Sequence, residues 1–255
     1  MGNNNFNFSA ESAENYEQKC LCVLVLDTSG SMNEIVDNTG VVPTGRTVES
    51  DGKVYNIVEG GVSKLDLLNK GLFSFFEEIV DDDTTDQRLE LAIITFNDTV
   101  QVIQEPALPS NVAIQPLEAQ GETALVDAVY NAIDLVAARK AWYKQTNQLY
   151  YRPWIILMTD GEPNRGRSIE ELAKQIKNDT TNKKYVFLPI GVDNANMSIL
   201  HQIEGTVSAM KLGNTKFSSF FKWLSASMGT VVNSDDNKNV NLPKADDWME
   251  NFTID

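Results

Sequence analysis

The chain has 255 residues, 42% of them hydrophobic, which is enough for one large α/β domain with a substantial core and too apolar for a disordered polymer. Acidic residues outnumber basic ones by 36 to 21, a net charge of −15 that argues against general nucleic-acid binding or adhesion to an anionic membrane.

Residues 1–18 are polar and Asn-rich and read as a flexible lead-in. They lack the basic segment and apolar run of a secretory signal, and no apolar run in the chain is long enough to cross a bilayer, so a cytoplasmic setting is expected. Cys20 and Cys22 are the only cysteines. Their spacing puts both on one face of a strand, too close for an ordinary disulfide and without a second pair for zinc, so reduced, buried thiols are expected.

Leu21–Leu26 is an unbroken apolar run of strand length, as in a central strand covered on both faces. It stops at Asp27-Thr28-Ser29-Gly30-Ser31. A carboxylate and two hydroxyls at alternate positions can face one side of a tight loop, and oxygen-only donors suit Mg²⁺ or Mn²⁺ better than zinc. The same residues also suit a solvated strand end at which Asp27 or Ser29 caps a following helix.

Residues 33–62 then intervene before the first helix, with a β-hairpin expected at about 40–60. Within it, the β-prone runs 46–49 and 53–57 flank Asp51-Gly52, a hairpin turn signal. The insertion reads as a lid, a partner contact or an inert surface loop. A helix follows from Ser63, with Leu65, Leu68, Leu72, Phe75, Phe76 and Ile79 on one face. Asp81, Asp82 and Asp83 end it as a solvated turn. Residues 89–96 form a second core strand, 100–104 an antiparallel edge strand, and 124–144 a long helix introduced by Gly121-Glu122-Thr123.

Residues 154–159 are another buried strand, ending in Asp160-Gly161. Beyond it, Arg165 and Arg167 lie on a loop, either solvated or contacting an anionic partner. A helix at 168–178, a strand at 185–190, a short helix at 197–203, an edge strand near 208–212 and a last helix at 215–228 complete the pattern. Residues 231–255 read as a polar, acidic tail carrying Trp248, Met249 and Phe252 as isolated apolar positions.

In an open α/β sheet, ligands sit at the carboxyl ends of strands where strand order reverses, so two apolar strands ending in Asp suggest one shared site. The sequence DxSxS, then a loop Thr, then a strand-end TDG resembles the metal-ion-dependent adhesion site (MIDAS) of von Willebrand factor A (VWA) domains. The resemblance spans roughly residues 18–230 and implies a doubly wound, Rossmann-like fold with a mostly parallel sheet, one antiparallel edge strand and helices on both faces. The VWA body is expected at 19–230. The same resemblance implies that Asp27, Ser29, Ser31, Thr123 and Asp160 ligate Mg²⁺, with Mn²⁺ or Ca²⁺ as alternatives, and that a protein partner supplies an Asp or Glu to the ion. YYRPWIILMTDGEPN and FFKWLSASM look like the bacterial tellurium-resistance (TerY-like) group, which implies a stress-response or defence assembly with a kinase or phosphatase nearby.

Enzymatic readings lack parts. No second Asp follows Asp27 at the spacing of haloacid-dehalogenase-type phosphatases. The single histidine, His201, belongs to a late helix, Ser29 lacks a G-x-S-x-G elbow, and no dinucleotide or Walker A glycine pattern occurs. A metal-dependent phosphohydrolase and a structural subunit with a purely stabilising ion remain the alternatives to a binding module.

Overall fold

The structure is a computed structural model that describes residues 6, 8, 16–50, 53–161, 168–213, 216–234, 240–243 and 253–254. In chain order its elements are β1 (Cys20–Asp27), β2 (Ile35–Asp37), β3 (Val42–Ser50), β4 (Lys53–Glu59), β5 (Val62–Ser63), α1 (Lys64–Val80), α2 (Asp83–Arg88), β6 (Leu89–Phe96) and β7 (Val100–Ala107). These continue with α3 (Leu125–Gln145), β8 (Trp154–Thr159), α4 (Ile169–Thr181), β9 (Val186–Val192), α5 (Met197–Gln202), β10 (Met210–Leu212), α6 (Phe217–Val232), β11 (Val240–Asn241) and β12 (Thr253–Ile254).

Six strands form the central sheet in the order β10-β9-β8-β1-β6-β7, parallel except for the antiparallel β6–β7 edge pair. Every residue of β1, β6 and β8 is buried. Strand alternation divides these apolar runs between two cores. Cys20, Cys22, Leu24 and Leu26 face the α1–α6 side with Phe75, Phe220, Phe221 and Leu224. Leu21, Val23 and Val25 face the α3–α4 side with Val129, Ala132, Leu172 and Ile176. Both thiols are free, and burial pushes the Cys20 thiol up to about 12.

The chain leaves β1 to pair β6 on one side, then returns through α3 to pair β8 on the other. Strand order therefore reverses at β1, between β6 and β8, which opens a crevice at the carboxyl ends of β1 and β8.

The intervening segment is more ordered than a loop. β3 and β4 pair antiparallel from Val42↔Glu59 to Ser50↔Lys53, beyond the runs expected at 46–49 and 53–57. The expected turn residues Asp51 and Gly52 lie outside the described residues, as do Arg165, Arg167, Trp248, Met249 and Phe252. The segment is closed at its base, where β2 pairs β5. The Ser63 hydroxyl accepts from Asp66 N–H while the Asp66 carboxylate accepts from Ser63 N–H, a capping box that fixes the start of α1.

Two expectations are corrected, on the Asp81–Asp83 run and on the last helix. The Asp81–Asp83 run is not simply a solvated turn: Asp82 accepts from Thr85 N–H at 2.6 Å and caps the short α2. The last helix starts at Phe217 and runs to Val232, where Arg88 and Tyr151 donate to the terminal Val232 carbonyl. Within the polar lead-in, Phe6 packs on the α3-side core and Phe8 stacks on Phe6 while meeting the Arg139 guanidinium.

Candidate metal centre

Asp27 is the last residue of β1 and is fully buried, with the neighbouring Ser29 also at 0% exposure. Asp27 Oδ1 accepts from Ser29 N–H at 2.8 Å, and Oδ2 accepts from the Thr159 hydroxyl at the end of β8. Ser29 precedes a single 3₁₀ turn, Gly30–Asn33, but makes no capping hydrogen bond. The helix-cap reading of this loop therefore fails. Instead, Ser29 Oγ lies 3.1 Å from Ser31 Oγ, and Ser31 Oγ donates to Asp160 Oδ1 at 2.6 Å.

Thr123, 1% exposed, arrives from the loop before α3. That loop is tied to the β1 loop by Gly30 N–H to the Gly121 carbonyl and Gln120 N–H to the Thr28 carbonyl, both 2.9 Å. Gly161 sits against both sides of the site: a Cβ there would lie 2.9 Å from Thr123 Oγ1 and 3.4 Å from Asp27 Oδ2. Asp27, Ser29, Ser31, Thr123 and Asp160, separated by up to 133 positions in the sequence, thus meet at the switch point.

The chemistry of this donor set fits a hard divalent cation. Burial, followed by the charge of Asp160, pushes the Asp27 carboxyl up to about 6, against the opposing hydrogen bonds from Ser29 and Thr159. Two carboxylates held together away from water repel, and a cation beside them removes that cost. Among the described residues no cluster of three or more His, Cys, Asp or Glu stands where it could hold a metal. Any ion at this site therefore depends on hydroxyl oxygens beside two carboxylates, which disfavours soft metals.

Sequence reasoning missed one residue. Lys64, the first residue of α1, has a side chain only 3% exposed. Its ammonium donates to Asp160 Oδ2 at 2.8 Å and Glu34 Oε2 at 2.6 Å, and lies 3.7 Å from Asp193 Oδ2. Burial alone would lower its pKa, but the charge and hydrogen bond of Asp160, with those of Glu34, outweigh it and the net shift is upward. A signal was present in the sequence: a lysine in the first turn of a helix opposes the macrodipole, which favours acidic residues there.

His201 lies at the end of α5, half exposed, and pairs with Glu204 at 2.8 Å rather than with any nucleophile.

Residues 22–223 match the von Willebrand factor type A domain family, and the chain belongs to it. No curated protein matches the chain. Solved structures resemble it at low identity. The vWF domain of the type V pili tip protein Mfa5 from Porphyromonas gingivalis aligns at 10% identity and TM-score 0.55, over 86% of this chain and 98% of that one. The PilB minor pilin from Streptococcus sanguinis aligns at 15% identity and TM-score 0.51, covering 84% of this chain and 63% of the pilin. Proximal thread matrix protein 1 from the mussel byssus, with a zinc-occupied MIDAS motif, aligns at 19% identity and TM-score 0.50, covering 85% of this chain. This chain spans 45% of that matrix protein, so both it and the pilin have large parts without a counterpart here. At these identities the likeness concerns the fold.

Proposed function

We propose that this VWA domain is a metal-dependent protein-interaction module. The observation that carries the reading is the convergence of Asp27, Ser29, Ser31, Thr123 and Asp160 at the switch point, with oxygen donors only. With two carboxylates in the set, a bound Mg²⁺ or Mn²⁺ would keep waters and an open position for the Asp or Glu of a protein partner. The chain's own contribution is to hold that set rigid. Ser29 N–H and the Thr159 hydroxyl fix Asp27, and Ser31 fixes Asp160. The zinc reported in the mussel matrix protein supports a divalent ion in sites of this family, while hard oxygen donors favour Mg²⁺ or Mn²⁺ here.

The proposal contains no turnover: the single histidine, His201, pairs with Glu204 and not with a hydroxyl of this donor set. A cytoplasmic setting belongs to the proposal as well. Among the described residues no helix is long and apolar enough to cross a membrane. The YYRPWIILMTDGEPN and FFKWLSASM segments support placing the module in a TerY-like stress-response assembly, with a kinase or phosphatase as the partner.

The test is a pull-down with wild type and Asp27→Ala, each with Mg²⁺ or EDTA, and with folding checked by circular dichroism. A partner captured only by wild type with Mg²⁺ supports the reading; capture that persists in EDTA with folded protein rejects it. Release of phosphate from p-nitrophenyl phosphate, abolished by Asp27→Ala, would replace it with the phosphohydrolase reading.

A further inference from the structure

Lys64 is a buried cation placed among carboxylates at the proposed metal centre, and three features show that it is built into the site. Its backbone N–H donates to the Glu34 carbonyl at 3.1 Å, while its ammonium bonds the Glu34 side chain, so main chain and side chain are held by the same residue. The β2–β5 pairing brings residues 34 and 64 together across the intervening hairpin. The ammonium then takes Asp160 Oδ2, while Ser31 takes Oδ1, so both oxygens of that carboxylate are engaged by residues of the chain. Asp27, by contrast, receives its hydrogen bonds from Ser29 N–H and the Thr159 hydroxyl, which are neutral groups.

We infer that Lys64 is an internal counter-cation that holds down the site's affinity for divalent ions and preserves the net positive charge of a bound ion for an anionic partner. The inference rests on the metal-dependent binding proposed above. Its logic is charge counting. Lys64 is shared among Asp160, Glu34 and Asp193, so it offsets part of the negative charge that Asp160 brings to the donor set, while Asp27 is held by neutral groups. A divalent ion facing this set keeps more of its positive charge, which attracts a partner's Asp or Glu. Without Lys64, the carboxylates cancel more of that charge. The ion is then held more tightly and the anion more weakly, because a unit charge at a few ångströms in a poorly solvated site is worth well over a factor of ten. The two effects have opposite signs, whereas a purely structural tie would weaken both together.

The experiment titrates Mn²⁺ alone into the full chain, followed by water-proton relaxation, with and without acetate as the stand-in for a partner carboxylate. It compares wild type with Lys64→Met, Lys64→Gln and Lys64→Arg. Lys64→Gln keeps a donor for Asp160 if the methionine variant folds poorly, and each variant is checked by thermal melting. The neutral variants are expected to bind Mn²⁺ about tenfold or more tighter and to lose the tightening that acetate gives wild type. Lys64→Arg is expected to stay within about threefold of wild type, since it keeps the charge. Folded neutral variants that bind Mn²⁺ no tighter than wild type would overturn the counter-cation role and leave the metal reading standing. A failure of wild type and all variants to bind Mn²⁺ would instead remove the metal reading itself.

Discussion

Asp27 and Gly161 make the site's two most direct residue-level predictions. Asp27→Asn keeps the shape of the side chain but removes its charge. The variant should fold, and it should lose the rise in melting temperature that saturating Mg²⁺ or Mn²⁺ gives wild type, about 2.7 kcal/mol at a hundredfold excess over Kd. Gly161→Ala should lower Mn²⁺ affinity about tenfold or more, because its Cβ would stand 2.9 Å from Thr123 Oγ1 and push that hydroxyl off its position. A third residue tests stability without the site. Glu90 is buried at the amino-terminal part of β6, where it accepts two hydrogen bonds from Arg139, at 2.8 and 2.7 Å, and one from the Tyr143 hydroxyl at 2.6 Å. Glu90→Ala leaves a buried guanidinium without its partner and should cost about 3–5 kcal/mol in chemical denaturation. Its metal affinity should be unchanged, since Asp27 lies at the opposite end of the paired strand.

At the scale of elements, the hairpin β3–β4 is separable from the site it adjoins. It carries exposed Val42, Val48, Val54 and Ile57, whereas the base that positions Glu34 and Lys64 is the β2–β5 pair. Replacing residues 42–59 by a short Gly-Ser turn should therefore leave melting temperature and Mn²⁺ affinity near wild type, as measured by calorimetry. Loss of partner capture in the same variant would assign the hairpin to recognition, and unchanged capture would make it an inert insertion. The elements that hold the site itself were readable from local chemistry. The apolar runs at 21–26, 89–96 and 154–159 are long, bounded by polar residues and rich in β-branched or large aliphatic side chains, and each appears as a strand buried on both faces. Boundaries were less legible where a cap competes with a turn. Asp82 could be read as a solvated carboxylate because α2, which it caps, has six residues, too few to show a periodic apolar face.

For the whole molecule, the dominant quantity is a net charge of −15 around the proposed metal site. Metal affinity should therefore fall as ionic strength rises, because the long-range part of the attraction is screened while the contacts inside the crevice are not. A Mn²⁺ titration repeated at low and physiological salt measures this; an affinity independent of salt would confine the attraction to the ligands themselves. The strands and the loops that follow them could be read from the chain because each was marked locally: an apolar run of strand length, a stop at Asp with small neighbours, a glycine at each loop. The proposed donor set came from the resemblance to VWA domains. The meeting of residues 27, 123 and 160 rests on strand order, which the switch at β1 decides. Lys64 and Glu34 stand 30 positions apart, and whatever each shows alone, nothing local marks that they meet, because the β2–β5 pairing decides it. Local sequence thus determined which segments become strands and which side chains carry oxygen. Tertiary structure decided that a buried ammonium stands beside Asp160, since Coulomb interactions depend on distances that only the packed chain sets.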